Sequence, residues 1–562
     1  MSKPSWQKVA KTAKEYRDAS IHRVDPPVPE VPAQLPLDRT EIPKYLLTTE
    51  EVLITETQPE ELVASLAAGQ YTSTTVITAF LRRAGIAQAL TNCITELLPE
   101  RAIVRAKLLD EYYKEHRKPI GPLHGLPISV KEHIGMKGLT LNAGFISWWD
   151  IRGEGDAHVL KILWNAGCVF YARTTEPQTL MHLETSSNLY GATTNPFNSR
   201  LTSGGSSGGE GALIGMRGSC LGLGTDIGGS IRSPAANCGL YGLRPSSYRI
   251  PVEGWSATMG GQEQVVAVLG PLSTSLDGVK MFMKTVISAK PWLKEPSLIP
   301  IPWRDQESWL GGSSGRKKIK IAVMWNDRVV RPHPPIIRAL LEVVEKLREI
   351  EGVELVEWEP HAHDEAWEII SSLYFSDGAQ EESDAIEASG EPWRPLSTFI
   401  IKENPNVKKL SVDDIWHWTQ RREAYRSAYA KIWNDTGTSV GDTGELEGMV
   451  DVILCPVGPG AAPPLDCARY WGYTSQWNIL DYPALVFPVT KVDLGVDRVD
   501  SDYNPMNEKD EYNHELWQSG PEKYEGAPIS LQLVGRRYED EKVVESLEFI
   551  KAKIGLPFAN FV

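Results

Sequence analysis

The sequence of 562 residues predicts an α/β protein: a large mixed β-sheet core covered by helices on both faces, in a single large domain. Two observations carry this prediction. Short apolar runs bounded by turn residues alternate with segments whose apolar residues recur at helical spacing, which is typical of βαβ units. Three further apolar runs of strand length follow in the second half of the chain, which favours one extended sheet.

The first predicted elements are a helix and a proline-rich arm. Apolar residues recur at helical spacing near the N-terminus, favouring a helix that docks through this face: Trp6, Val9, Ala10, Ala13 and Tyr16. Residues 24–46 are rich in proline and predict an extended arm over the surface. We therefore separate residues 1–46, the helix and arm, from residues 47–562, the main domain.

The main domain is predicted to begin with helices. Thr57, Pro59 and Glu60 predict a capped helix start, and helices follow around residues 72–90 and 100–116. The alternating elements come next: a strand at 126–130, a helix at 156–166 with Asp156 as N-cap, strands at 168–172 and 319–325, a helix at 334–350, and strands at 353–358, 450–457, 484–489 and 529–534. Residues 293–318 and 493–527 are predicted to be surface insertions.

Composition excludes several classes of function. The formal net charge of -15 argues against binding to nucleic acid or anionic lipid, because both need clustered Lys and Arg. The six cysteines form no CxxC pair, so we interpret them as reduced thiols. No apolar run is long enough to span a membrane and no secretory signal is recognisable, which predicts a cytoplasmic protein.

The most informative stretch is residues 203–232, which reads SGGSSGGEGALIGMRGSCLGLGTDIGGSIR. A flexible linker would not carry its apolar residues, and a phosphate-binding P-loop would need a lysine that this stretch lacks. Residues 204–208 match the GxSxG pattern of a nucleophile elbow, but the turn-forming residues before them do not predict the required strand. What remains is a pair of serine-bearing glycine clusters.

Glycine-rich backbone beside a serine suits acyl transfer. The successive amides of Ile227, Gly228, Gly229 and Ser230 could form an oxyanion hole next to the Ser230 hydroxyl. A serine also needs a base. Lys131, at the end of an apolar strand, is the better candidate because burial would favour its neutral amine; His124 and His133 nearby are more typical of packing residues.

Three motifs together resemble the amidase signature family. They are GLPISVKE around Lys131, GGSSGGEGALIG around Ser206 and GTDIGGSIR around Ser230, and they lie in a signature core at about 123–245. The further stretches GPLHGLPIS, LYGLRP and GAPISLQLVGRR are similar to the fungal acetamidase-like branch. The resemblance implies the amidase signature fold.

The resemblance also implies a role for each site residue. Ser230 would attack the substrate carbonyl, Ser206 would bridge it to Lys131, and Lys131 would be the base. In the family the bridging serine follows a cis peptide bond, here Gly205–Ser206. Supporting groups around this triad would be Ser207, Asp226 and Arg232, and the oxyanion hole would be formed by Ile227, Gly228, Gly229 and Ser230. Glu132 stands where many relatives have Asp.

By position, Leu180 and Met181 resemble family residues that line the acyl pocket. Further substrate-binding residues are expected from the loops: Tyr190, Trp477 and Asp481. The implied activity is hydrolysis of the C–N bond of small amides through an acyl-enzyme, with carbamates, anilides or esters as side substrates. The chemistry requires no metal and no cofactor, and its partner is a small-molecule amide; a homodimer is left open. The rival interpretation is an amidotransferase-type subunit that needs a partner protein.

Overall fold

The computed structural model describes residues 4–304, 318–441, 444, 446–499 and 502–561. Residues 1–3 of the N-terminal segment and residues 305–317 and 500–501 of the two predicted insertions lie outside the described residues. Among the described helices, none combines the length and apolar character needed to cross a bilayer.

The helices of the described residues, in chain order, are α1 (Trp6–His22), α2 (Ile42–Leu46), α3 (Thr49–Glu56), α4 (Pro59–Ala67), α5 (Ser73–Thr91), α6 (Pro99–His116), α7 (His158–Asn165), α8 (Gly208–Gly215), α9 (Arg232–Asn237), α10 (Leu276–Ser288), α11 (Pro334–Arg348), α12 (His363–Tyr374), α13 (Gln380–Ser389), α14 (Pro395–Ser397), α15 (Val412–Asn434), α16 (Gly472–Leu480), α17 (Glu508–Gln518) and α18 (Asp540–Ile554). Short 3-10 turns lie at Ile146–Trp148, Pro291–Leu293 and Pro521–Tyr524, and one π-helical turn at Thr398–Lys402.

The strands of the described residues are β1 (Ile94–Leu97), β2 (Pro127–Lys131), β3 (Val169–Thr174), β4 (Ser186–Ser187), β5 (Gly191–Ala192), β6 (Leu221–Asp226), β7 (Tyr241–Arg244), β8 (Val268–Ser273), β9 (Ile319–Val323), β10 (Val353–Glu357), β11 (Ser439–Val440), β12 (Leu446–Glu447), β13 (Val452–Pro456), β14 (Ala484–Lys491) and β15 (Pro528–Val534). In this part of the chain they form one 11-stranded sheet, ordered β1-β3-β2-β6-β8-β7-β14-β15-β13-β9-β10, and two small ribbons, β4-β5 and β11-β12. Parallel pairs near both ends flank an antiparallel centre. The predicted α/β fold with a large mixed sheet is confirmed.

Helices cover both faces of the sheet because its central strands are apolar on both sides. In β13, Val452 and Leu454 pack into one core cluster, whereas Ile453 and Cys455 pack into another. Since successive side chains of a strand point to opposite faces, each face has its own core. Helix α11 belongs to the first cluster, and helices α12, α15 and α16 belong to the second.

Two predicted N-cap residues, Thr57 and Asp156, are wrong. Helix α4 begins after Gln58, and the hydroxyl of Thr57 instead donates to the carbonyl of Leu53 at 2.7 Å, closing the preceding helix. The capping box lies one helix earlier, where Thr48 and Glu51 bond each other's backbone amides. Asp156 does not cap α7 because its carboxylate accepts from the backbone amide of Lys137 at 2.9 Å.

The N-terminal segment lies against the edge of the sheet. In α1, Ala10 and Ala13 are buried, and the hydroxyl of Ser20 accepts from the amide of Leu97 in β1 at 2.9 Å. The segment after α1 is extended until it ends in α2, and the amide of Arg39 donates to the carbonyl of Pro196 at 2.9 Å. The division of the chain at residue 46 stays a prediction.

Candidate active site

Two neighbouring parallel strands deliver the candidate catalytic residues to one edge of the sheet. Strands β2 and β6 pair with Ser129 opposite Gly222 and Val130 opposite Leu223. Lys131 is the last residue of β2, and residues 227–231 form the loop directly after β6. Because parallel strands end on the same side, the lysine and this loop meet at the carboxyl edge.

The amine of Lys131 is enclosed by protein. The residue has no exposed surface, and its Nζ donates to Oγ of Ser206 at 2.6 Å and to Oγ1 of Thr225 at 3.1 Å. Removal of water from the buried ammonium lowers the pKa of Lys131 from its ordinary value near 10.5 to about 8, and nearby carboxyls, Glu176 foremost, oppose this shift. A substantial fraction of the amine is therefore neutral in slightly alkaline solution.

The carboxyls around Lys131 are themselves shifted toward their neutral forms. Burial raises the pKa of Glu210 to about 8, although Ser129 and Thr174 donate to it at 2.5 and 2.8 Å. Burial and the neighbouring Glu132 raise the pKa of Glu176 well above its ordinary value. Lys131 therefore has no close ion-pair partner among the described residues that would hold it protonated.

Ser206 lies in the tight turn between residues 203 and 208. The peptide bond between Gly205 and Ser206 is cis, at the position where the family resemblance implied one. A Cβ on Gly205 would come within 2.5 Å of the backbone of His182 and Glu184, so no larger residue fits there. The neighbouring Ser207 accepts from the amide of Thr225 at 3.2 Å, which ties this turn to the end of β6.

Ser230 lies in the loop after β6, and a buried ion pair shapes this loop. Both carboxylate oxygens of Asp226 accept from Arg232, and they also accept from the amides of Gly229 at 2.8 Å and Ile231 at 3.1 Å. Although burial opposes ionisation, Arg232 and Asn478 hold the pKa of Asp226 at about 2. The carbonyl of Ser230 accepts from the amide of Ser207 at 3.1 Å, so the two serine-bearing segments run side by side.

Three of the four amides predicted for an oxyanion hole have no hydrogen-bond partner among the described residues: those of Ile227, Gly228 and Ser230. The amide of Gly229 is already engaged by Asp226. Side chains from the far half of the chain hold the carbonyls of the same loop. Tyr374 donates to the carbonyl of Ile227 at 2.9 Å, and Thr474 donates to that of Gly228 at 2.6 Å.

Ser206, Ser230 and Thr225 line one cavity of about 480 Å³. Leu180 and Met181, predicted to contact substrate, also line it. The rest of the wall comes largely from residues 248–267, including Trp255 and Met259. The wall as a whole is more apolar than polar, and the ionised Asp226 is neutralised by Arg232.

The structure does not bring the other three predicted substrate residues to this cavity. Tyr190 packs with α1 and Trp149, and Trp477 is fully buried against Tyr429 and His363. Asp481 pairs with Arg244 at 2.7 Å and accepts from Ser247, so its carboxylate is fully used within the core. In each case the side chain is directed away from the cavity and makes its contacts with neighbouring helices and strands in the core.

Residues that sequence reasoning set aside or did not single out complete the site. His133, interpreted from the sequence as a packing residue, lies in the cavity wall and stacks on Trp255. Tyr374 braces the loop after β6. The position of His133 beside Lys131 was the one signal available for it. Tyr374 and Trp255 lie in segments that no motif marks. Among the described residues, no group of three His, Cys, Asp or Glu side chains could hold a metal ion.

Comparison with known proteins shows what this chain is similar to. A family model described as Amidase matches residues 75–544. The chain is 40% identical over 511 residues to an acetamidase of Emericella nidulans, covering 91% of each. It is 39% identical over 511 residues to an acetamidase of Aspergillus oryzae, covering 91% of this chain and 92% of the relative. A solved structure of a fatty acid amide hydrolase superposes with a TM-score of 0.90 and 34% identity, covering 99% of this chain and 96% of the other.

Proposed function

The chain belongs to the amidase family and is an amide hydrolase, and from that premise we propose that it cleaves the C–N bond of small amides through Lys131, Ser206 and Ser230. The observation that carries the proposal is the 2.6 Å hydrogen bond between the buried amine of Lys131 and the hydroxyl of Ser206, in a cavity that Ser230 also lines. A serine hydroxyl becomes a nucleophile only when a neighbouring base takes its proton.

In the first step the neutral amine of Lys131 takes the proton of Ser206, and Ser206 takes the proton of Ser230. The Ser230 oxygen meanwhile forms a bond to the carbonyl carbon of the substrate. The carbonyl oxygen becomes negative, and the amides of Ile227, Gly228 and Ser230 are available to stabilise it. The loop carrying these amides is braced before substrate arrives, so little reorganisation accompanies the reaction.

In the second step the proton returns by the same path. Lys131 gives it back through Ser206 to the substrate nitrogen, because an amine leaves poorly unless it is protonated. The C–N bond breaks, the amine departs, and the acyl group stays on Ser230 as an ester. A water molecule then gives a proton through the same relay to Lys131 and attacks this ester. The ester C–O bond breaks, the oxygen of Ser230 regains the proton, and the acid is released.

The size and the apolar residues of the cavity suit uncharged amides with an acyl group of more than one carbon. Its volume of about 480 Å³ and its apolar residues Leu180, Met181 and Trp255 suit small aliphatic or aromatic acyl groups. Anilides, esters and carbamates would form the same kind of acyl-enzyme, so they are proposed as side substrates. A cytoplasmic location and a homodimer stay predictions.

Substitution of the triad tests the proposal. Wild-type protein should release ammonia from acetamide and benzamide and aniline from an anilide. Ser230→Ala should lower kcat at least about ten-thousandfold, because no nucleophile remains. Ser206→Ala and Lys131→Ala should lower it roughly a hundred- to ten-thousandfold. Ser519→Ala, on the exposed end of α17, should keep wild-type activity. Full activity of Ser230→Ala would refute the assignment of the nucleophile.

A further inference from the structure

His133 stands two residues after Lys131, and the proposed relay leaves it without a task. Its imidazole lies in the wall of the cavity and stacks on Trp255 with ring centroids 5.8 Å apart. Nδ1 lies 2.8 Å from the carbonyl oxygen of Ser256, and Nε2 lies 3.0 Å from Oγ1 of Thr225. Thr225 in turn accepts from Nζ of Lys131 at 3.1 Å. One hydroxyl therefore joins the imidazole to the catalytic amine.

The partners of the imidazole fix which nitrogen carries the proton. The carbonyl oxygen of Ser256 can only accept, so Nδ1 must donate to it. Burial, and after it the charge of Lys131, lowers the pKa of His133 well below its ordinary value, which keeps the ring neutral. A neutral ring protonated on Nδ1 has a lone pair on Nε2, so Nε2 accepts the hydroxyl proton of Thr225.

The direction of the Thr225 hydroxyl proton decides whether Thr225 accepts a hydrogen bond from the amine of Lys131 or donates one to it. When the proton points to His133, Thr225 presents a lone pair to the amine and accepts one N–H. The lone pair of the amine is then free for the proton of Ser206, whose oxygen is 2.6 Å away. If the proton of Thr225 pointed to Lys131, it would occupy the lone pair that the relay needs.

We propose that His133 is a positioning residue: its imidazole holds the Thr225 hydroxyl as an acceptor and so keeps the lone pair of Lys131 directed at Ser206. This inference rests on the proposed function of Lys131. The imidazole does not take a proton from the relay, because Nε2, the nitrogen that carries its lone pair, already accepts the hydroxyl proton of Thr225.

Other charged groups surround the hydrogen bonds that link His133, Thr225 and Lys131, and these groups stay in place when His133 is changed. The carboxylate of Glu176 accepts from the backbone amide of His133 at 3.2 Å, and the charge of Arg173 also acts on the ring. Glu176, Asp226 and Glu210 act on Lys131. A side-chain substitution at His133 removes none of them, so a change in the titration of Lys131 reports the hydroxyl contact.

The test compares His133→Gln with His133→Asn. Glutamine places its amide near the position of Nε2, within reach of Thr225, whereas asparagine reaches only as far as Nδ1 and can bond Ser256 alone. We expect His133→Gln to retain most of kcat. His133→Asn and His133→Leu should lower kcat roughly ten- to a hundredfold with little change in KM, because a misdirected base slows the chemical step without weakening substrate binding.

The pH profile separates positioning from a merely structural role. In His133→Asn and His133→Leu the hydroxyl of Thr225 is free to donate to Lys131. Because only the neutral amine can accept this hydrogen bond, the bond lowers the pKa of Lys131. The acid limb of kcat/KM should therefore move to lower pH in these two variants and stay in place in His133→Gln. Equal kcat in His133→Gln and His133→Asn, or an unmoved acid limb in both His133→Asn and His133→Leu, would overturn the proposal.

Two additions keep the test decisive. Labelling of Ser230 by a phosphonofluoridate is measured first in the wild-type protein; absence of labelling would refute the proposed function itself, independently of His133. If the His133 variants do not fold, Thr225→Ser and Thr225→Val replace them. Thr225→Ser keeps the hydroxyl and should keep the acid limb, whereas Thr225→Val should lower kcat; wild-type kcat in Thr225→Val would overturn the proposal.

Discussion

The ammonium group of Lys131 is fully buried in the protein, and this burial is the physical origin of its reactivity. A fall in pKa from near 10.5 to about 8 corresponds to roughly 3 kcal/mol favouring the neutral amine over the charged one. The same burial destabilises the folded state while the amine is protonated. Function at this residue therefore opposes stability, which is a common feature of active sites.

The pH dependence of the reaction follows from this shift. Because the relay needs a neutral amine, kcat/KM should rise with pH through about pH 8 and level off above it. A stopped assay of ammonia release between pH 6 and pH 10 checks the prediction, with an amide that does not itself titrate in that range. A profile that is flat from pH 6 to pH 9 would show that Lys131 is not the base.

The burial of Lys131 should also make the stability of the folded protein depend on pH. The folded-state pKa of Lys131 is lower than its unfolded value, so the penalty of burying the ammonium is fully present below about pH 8. It disappears as pH rises toward 10.5. Lys131→Met should thus raise the melting temperature at pH 7 and lose that advantage near pH 10. Thermal scans at both pH values check the sign; equal melting temperatures of the two proteins at pH 7 would contradict it.

Residues at the site differ in how far the sequence could predict them. Lys131, Ser206 and Ser230 belong to contiguous motifs, and the structure places the first two in direct hydrogen-bond contact. Trp255 reaches the cavity only because its segment pairs with residues 133–134, a long-range contact that no local pattern encodes. Trp477 shows the reverse: it was expected on a loop at the site, but it lies in helix α16 and packs in the core.

At the scale of elements, the loop between β6 and α9 is held in place by a buried ion pair and by contacts with two helices. Asp226 and Arg232 are fully buried and bond each other twice, and α12 and α16 supply the donors to the loop carbonyls. A Cβ on Gly228 would lie 2.6 Å from Trp471 and 2.7 Å from the hydroxyl of Tyr374, so the helices touch the backbone itself.

Asp226→Asn tests how much this brace contributes. The substitution keeps the size of the side chain but leaves Arg232 as a buried charge without a carboxylate, which typically destabilises a protein by about 3–5 kcal/mol. Urea unfolding should show a strongly lowered midpoint, and residual activity should be small at temperatures where the variant is folded. The matched control is Asp435→Asn, which removes the exposed ion pair with Lys431 and should leave the midpoint nearly unchanged. Similar midpoints for both variants would refute a bracing role for Asp226.

At the scale of the whole molecule, the sheet was predictable and its order was not. The predicted runs match β2, β3, β9, β10, β13, β14 and β15 to within a few residues. Strands β7 and β8 were missed because glycine and proline interrupt their apolar residues. The order of the strands depends on pairings between residues far apart in the chain, such as β7 with β14, which periodicity does not encode.

The arm that precedes the main domain is packed against helix α5. A Cβ on Gly85, in the middle of α5, would lie 2.5 and 2.8 Å from the two methyl carbons of Val28 in the arm. Glycine inside a helix normally weakens it, and replacement by alanine would be expected to stabilise the protein by roughly 0.5–1 kcal/mol. Contact with Val28 reverses that expectation, because overpacking at a close contact costs roughly 1–3 kcal/mol.

A double-mutant cycle between Gly85 and Val28 therefore reports whether the arm is docked in solution. Gly85→Ala alone should lower the free energy of unfolding. In the Val28→Ala background, where both crowding methyl groups are gone and the nearest remaining atom is 3.2 Å away, the same substitution should be neutral or stabilising. The coupling free energy, measured by urea unfolding of the four proteins, should exceed about 1 kcal/mol. If Gly85→Ala stabilises both backgrounds equally, the part of the arm around Val28 is detached from α5 in solution.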